Sequence, residues 1–355
     1  MKLQTLFFAL LFLTPVCLSA ETGLLKWSMN DPQVFNLQIP KNLFIGKLAG
    51  SPQVATCHTQ GLAVTDSQIL ISCCLYDAKD KKERSYRNDA YLLSADITSV
   101  FSAQPNQKPD WALEKITEWA PLEESERIAK SVLEKKSAFD PARELFPMGH
   151  PSGIAFDKER RGVWLALSVY GPRSYSRIKQ FNIPDHLGAV VPLRGNLIVG
   201  LTWGSQEFLV LDTNSGEWRR YPNKLPEQVD YQECDALAKS LFICSGNLID
   251  REWFLKRRIG KIHILELQGD HFDSFHFVLK GEVEGDLGVR EFSDQKDKGV
   301  TEKRQNQYGP YSTPLTLTNE GMSLSPDKKF IYFLPEDIPG GRIVRYRLTP
   351  SSSNR

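Results

Sequence analysis

The chain has no surplus charge of either sign: 44 lysines and arginines stand against 43 aspartates and glutamates in 355 residues. Neither a basic patch nor an acidic tail can be drawn from that balance, so nucleic acid is not an expected partner. The apolar run at residues 6–13 is too short to span a bilayer, and no membrane span is expected. The compact motifs of familiar chemistries are missing as well. There is no HExxH, no GxSxG, no Walker loop, no GxGxxG and no paired CxxC. GPRSYS at 171–176 contains serines but no nucleophile elbow, which argues against serine-hydrolase chemistry.

Cysteine is scarce, with 6 in the chain. Residues 1–20 have the make-up of a secretory signal: Lys2, the apolar run, then small residues before Glu21. Cleavage is expected after Ala20, with Ser19 as the alternative. Val16 stands before Cys17 where a lipoprotein site wants a small residue. Removal of the signal leaves Cys57, Cys73, Cys74, Cys234 and Cys244, an odd number. An exported chain permits disulfides. Cys234 and Cys244 lie on successive strands and can meet. Cys73 and Cys74 point to opposite sheet faces, so only one of them can face Cys57. Buried reduced cysteines acting as small hydrophobes are the competing reading.

What the chain does have is a repeated plan of short strands and turns. In residues 150–183, Gly153 to Phe156 form a strand, a charged turn follows, and Val163 to Tyr170 and Arg177 to Ile183 form two more. Further copies open at His58 (HTQGLAV), near Gln232 (QECDALA) and at Asn319 (NEGMSLSPDKKFIYFLPED). A copy without the opening motif runs from Gly188. Units of three or four strands without a helix point to radial repetition, an all-β β-propeller that buries each sheet between its neighbours. A large β-sandwich is the alternative. Residues 24–48, with VFNLQI and LFIGKL, can supply an outer strand that closes the ring. The organisation expected is a signal at 1–20, one propeller domain over 21–350 with an insertion at 102–147, and a disordered tail at 351–355. Residues 121–136 are the one helix candidate, with an apolar face and acidic first and basic last turns. Residues 271–284 hold a further strand group. Counting the irregular segments as one more blade gives six, with five and seven as neighbouring counts.

Aligning the units sets unlike polar residues at like positions: His58 and Gln60, His150 and Ser152, Glu233 and Asp235, Asn319 and Glu320. Each precedes or opens the innermost strand, so these side chains are expected to converge on the propeller axis. Imidazoles, amides and carboxylates in one place can hold a divalent cation such as calcium, with Glu320 and Glu233 as the metal ligands, or serve as an acid and base. The competing reading is a water-filled hole lined by polar groups that fasten neighbouring blades. Loops of the first two units add Tyr76, Arg87, Tyr170, Arg173 and Tyr175, a set suited to an anionic or sugar ligand or to hairpin packing.

NEGMSLSPDKKFIYFLPED resembles the blade motif of gluconolactonase-like and esterase-like-phytase propellers. HPSGIAF and HTQGLAV, with GPRSYS, resemble a family of exported bacterial and fungal propellers of unknown function. The second resemblance covers 57–348 and implies a six-bladed ring. In gluconolactonase-like enzymes a glutamate before a glycine helps to hold a divalent metal, and Glu320 before Gly321 matches it. Gln60 and Ser152 stand at the equivalent places of two other units and are not carboxylates. The expected function is an exported, monomeric propeller that binds a small molecule or protein at its central channel or one mouth. Alternatives are a metal-assisted hydrolase of a lactone, ester or phosphoester, and a non-catalytic interaction scaffold.

Overall fold

The computed structural model describes residues 24–39, 43–48, 51–77, 86–102, 108–116, 150–169, 175–249, 259–285, 287, 317–318, 320–335 and 341–350. Strand β1 (Leu25–Asn36) opens the chain. The first unit holds β2 (Leu43–Leu48), β3 (Ser51–Val64), β4 (Gln68–Asp77), β5 (Tyr86–Asp96) and β6 (Ala112–Lys115). The second holds β7 (His150–Asp157), β8 (Gly162–Val169), β9 (Tyr175–Ile178) and β10 (Phe181–Ile183). The third holds β11 (Leu187–Pro192), β12 (Leu197–Thr202), β13 (Glu207–Asp212) and β14 (Trp218–Pro222). The fourth holds β15 (Val229–Ala236), β16 (Leu241–Leu248), β17 (Gly260–Gln268) and β18 (His276–Glu284). The last holds β19 (Gly321–Leu324), β20 (Phe330–Leu334) and β21 (Arg342–Pro350).

Each unit is an antiparallel meander. Its first full strand packs against the first strands of the neighbouring units, in the order β3, β7, β11, β15, β19 and back to β3. This is a β-propeller. Strand β1 pairs antiparallel with β21, from Trp27 opposite Pro350 to Asn36 opposite Arg342, and completes the last unit from the outside. It also runs parallel to β18, which joins the fourth and last units into one sheet. The closing strand expected in 24–48 is therefore β1. LFIGKL instead forms β2, which pairs with the start of β3.

The middle strands read as unbroken apolar runs because both of their faces are covered. Ile69 and Ile71 of β4 face the last unit, where Tyr332, Leu334 and Ile343 meet them; Leu70 faces the second unit with Ile154 and Leu165. Trp164, Ala166 and Ile178 meet Leu187, Val190 and Leu209 between units two and three. Val199, Phe208 and Val210 meet Tyr231, Phe242 and Leu265 between three and four. Ile243, Ile262 and Ile264 meet Met322, Ile331 and Phe333 between four and five. Among the described residues, apolar clusters thus fill the junctions between these units, and each large side chain fully buried there contributes about 1.5–3 kcal/mol.

Several expectations are refined. Arg177 to Ile183 is not one strand but the hairpin β9–β10, which turns at Lys179 with φ 51°. The strand group at 271–284 is β18, the outer strand of the fourth unit rather than the start of another. A short helix, α1 (Ile97–Phe101), follows β5 because the Asp96 carboxylate accepts from the Thr98 and Ser99 backbone N–H groups. The helix candidate at 121–136, the signal at 1–20 and the tail at 351–355 lie outside the described residues, as does most of the irregular sequence counted toward a sixth blade. Cys57–Cys73 and Cys234–Cys244 are disulfides, and Cys74, the odd one, is buried and belongs to neither. Among the described residues no helix is long and apolar enough to cross a membrane.

The charged turn after β7 is tied by one side chain. Buried Asp157 accepts from the Arg160 backbone N–H at 3.0 Å, the Arg160 guanidinium at 2.7 Å and the Trp164 indole at 3.1 Å. Asp157→Ala strands the buried indole N–H and frees the turn. It is expected to lower unfolding stability by about 2 kcal/mol in urea titration, whereas a loss under about 0.5 kcal/mol, the surface norm, would mean the turn holds itself.

Candidate functional site

Most of the inner strands share a defect. Ladder register breaks between Thr59 and Gly61 on β3, Pro151 and Ile154 on β7, Leu187 and Ala189 on β11, and Tyr231 and Glu233 on β15. Such bulges bend a strand and re-aim its side chains. Those on β3, β7 and β15 fall where the sequence alignment put unlike polar residues; β11 carries none of that set, and the β19 ladder is unbroken.

At this level the axis is filled. Glu233, 0% exposed, reaches across from the fourth unit. Its Oε2 accepts from the backbone N–H of Leu62 in the first unit at 3.2 Å and of Ile154 in the second at 3.0 Å. Gly153 lies against the same carboxyl, and a β-carbon there would stand 2.3 Å from Oε1. Gly321 packs on the Gly61–Leu62 backbone, and Gly61 on Gly153 and Ile154. Burial pushes the Glu233 carboxyl well above its ordinary range; the two N–H donors and a third from Cys234 oppose this and are outweighed.

Further polar side chains bind neighbouring units to each other. Asp235 accepts from Leu324 N–H at 2.8 Å and from the Ser323 hydroxyl at 3.1 Å, and Ser323 Oγ accepts from Val64 N–H at 3.0 Å. Burial raises the Asp235 carboxyl too. The Ser72 hydroxyl donates to Ser152 O, Ser168 donates to Leu187 O, and Ser205 accepts from Tyr231 N–H.

The remaining candidates are placed as follows. The Ser152 hydroxyl is buried, accepting from Ala166 N–H and donating to Gly153 O. Gln60 is half-buried at its bulge and donates to Thr59 O. Glu320 is half-buried just before β19. His58 and His150 occupy matching places in the ladders, opposite Cys74 and Ser168. Tyr170, Arg173 and Asn319 lie outside the described residues.

Two groups at the same end of the units were not read from the sequence. In the first, a 3-10 turn (Trp203–Ser205) after β12 presents the Trp203 indole, 57% exposed. His186, in the segment leading into β11, stacks on it at 5.6 Å between centroids, and Trp203 N–H donates to His186 O. Burial lowers the His186 imidazole to about 4, against the opposing pull of Asp185, so it is neutral near pH 7. Asp230 holds the turn through Gly204 N–H at 2.8 Å, while Arg220 bridges Asp185 and Glu207 nearby.

In the second, buried Tyr231 and His263 meet at 2.6 Å through Oη and Nδ1. The other ring nitrogen faces Glu227 and Glu282. His263 sits in an apolar alternation, KIHILEL, the pattern of any buried strand. Only the register with Glu282 shows its company.

No known family matches the chain, and no curated protein matches it. Among solved structures it is similar to a glutaminyl cyclase of Myxococcus xanthus, at 10% identity over 93% of this chain and 100% of that one, with a TM-score of 0.44. It is similar to the Malassezia sympodialis allergen Mala s 1 at 10% identity, over 90% and 96% of the two chains, with a TM-score of 0.37. A third is the WD40 repeats of RRP9, at 8% identity over 90% and 100%, with a TM-score of 0.35. Likenesses this distant carry no activity to this chain.

Proposed function

We propose that this chain is an exported propeller that binds a small polar or cyclic ligand at one mouth, on a platform made by Trp203 and its stacked partner His186. The observation that carries this reading is an exposed indole held face-on by a neutral imidazole at the inner end of a unit. An indole in water offers a large apolar face at little entropic cost, and a flat ring or sugar face covers it well. Arg220 with Asp185 and Glu207 supplies polar groups beside it. Gln60 and Glu320, both half-buried, are assigned to the same mouth in this reading. The two disulfides support an oxidising compartment and hence export.

The test is a thermal-shift screen of the purified chain against neutral sugars, organic acids and cyclic metabolites, followed by titration of any ligand that raises the melting temperature. Trp203→Ala is expected to weaken binding by roughly 10-fold or more, the equivalent of about 1.4 kcal/mol. Because the side chain is exposed, its ligand-free melting temperature should match wild type. Undiminished affinity in Trp203→Ala would move the site elsewhere. If only proteins are captured, and no small molecule stabilises the chain, the interaction-scaffold reading takes its place.

A further inference from the structure

We propose that Glu227, His263 and Glu282 form a binding site for a divalent transition-metal ion, zinc by its donor set, between the third and fourth units. The site uses neither Trp203 nor the Glu320 and Glu233 pair.

Three elements bring the donors together. Ladder pairing sets His263 of β17 directly opposite Glu282 of β18, so both project from the same face of the sheet. Glu227 comes from the segment between β14 and β15. The ligand atoms of the three all lie within 4.8 Å of one another. His263 Nε2 is 3.6 Å from Glu227 Oε2 and 3.8 Å from Glu282 Oε1. These separations are too long for hydrogen bonds. They are close to the spacing a small ion imposes, since bonds of about 2.0–2.1 Å at tetrahedral angles put donors roughly 3.3 Å apart.

The imidazole itself is the second observation. The His263 side chain is 1% exposed, and its Nε2 is buried with no hydrogen-bond partner. A buried ring nitrogen aimed between two carboxylates needs an occupant. A proton on Nε2, in the neutral ring or the imidazolium, would still stand beyond hydrogen-bond reach of both carboxylates, at 3.6 and 3.8 Å. The opposite nitrogen is already set for ligation. With the proton on Nδ1, the ring donates to the Tyr231 hydroxyl oxygen and turns the Nε2 lone pair toward the carboxylates, the outer support that metal-bound histidines use.

One imidazole and two carboxylates suit zinc or a neighbouring transition metal better than calcium, which takes six or more oxygens. Two negative charges offset a divalent ion. Three protein donors leave a fourth position open to water or a bound group. Lys261 Nζ lies 2.7 Å from Glu227 Oε2. It is the competing cation, and an incoming metal displaces it along its flexible stem.

The experiment uses the untagged chain, stripped with chelator and titrated with zinc by calorimetry, and with cobalt by visible absorption. Wild type is expected to bind one zinc with micromolar or tighter affinity, and cobalt should give the intense bands of a low-symmetry four- or five-coordinate site. Glu227 and Glu282 are 38% and 42% exposed, so Glu227→Gln and Glu282→Gln should fold and keep the metal-free melting temperature. Each is expected to weaken zinc binding by about 30-fold and abolish the cobalt bands. No saturable zinc binding by wild type would overturn the proposal. So would binding that both variants retain at full strength, since the metal would then sit elsewhere.

Discussion

Glu233→Ala is expected to destabilise the fold by about 4 kcal/mol in urea titration, because it strands the buried Leu62 and Ile154 N–H groups at about 1–3 kcal/mol each and opens a void besides. Glu233→Gln separates charge from shape. It keeps an acceptor oxygen for both donors, so its effect should depend on pH. Burial holds the folded wild-type carboxyl well above its ordinary value of 4.5. Below pH 4.5 the folded and unfolded chains both hold the proton, and its stabilising contribution is fully present. As pH rises past that point the unfolded chain releases the proton and the folded chain does not. Wild type then loses about 1.4 kcal/mol of stability per pH unit from this group until its folded pKa is passed. The glutamine variant lacks that slope. Asp235 is also raised and contributes a loss of the same sign in both proteins. Unfolding midpoints at several values between pH 4 and 8 should diverge, with the variant gaining on wild type as pH rises. Parallel curves would mean that Glu233 is ionised in the fold.

The second large effect is expected from Gly61→Ala. A β-carbon at Gly61 would stand 2.7 Å from Ile154 N and 2.9 Å from Gly153 Cα. Both are backbone atoms of the next inner strand, and no rotamer can move them aside. The loss is expected to reach about 3 kcal/mol, the upper end for overpacking, and should come with a weaker grip of Glu233 on Ile154. Gly162→Ala is the control. Its nearest atom lies at 3.8 Å, and it should change stability by no more than about 0.5 kcal/mol. Equal effects at the two positions would show that helix- and strand-independent glycine entropy, rather than the tight hub, governs both.

The units were legible because their middle strands are covered on both faces. LIVGLT and SLFICSG have no polar alternation to confuse them with helix or with half-exposed strand. The β9–β10 hairpin was hidden because its turn is made by Lys179 without glycine or proline. The α1 turn was hidden because Asp96 ends a strand before it caps a helix. At the hub, aligning the units set Glu233 level with the openings of the other inner strands, and it meets the first and second of them. The alignment could not say that backbone N–H groups would meet it there, since a bulge is a slip of register and leaves no residue signature. His263 and Glu282 stand 19 positions apart in the sequence, and only the pairing of β17 with β18 makes them neighbours. Trp203 reads in sequence as the end of an apolar strand, LIVGLTW. Its exposure follows from the left-handed backbone at Gly204 and Ser205, which swings the chain away.

The pairing of β1 with β21 also fixes an order of events during synthesis. The ribosome releases residues 25–36 long before residues 342–350, so the two halves of this latch are made far apart in time. At roughly 5–20 residues per second the wait is on the order of 15–65 s. Over that interval the edge of β1 that will meet β21 is unsatisfied and able to pair with another nascent copy. Once β21 arrives, linking ends this distant costs only a logarithmic entropy penalty. Pairing of β1 with the β21 of another copy would compete with closure during that wait, so crowding of nascent chains matters there as much as the strength of the finished ring.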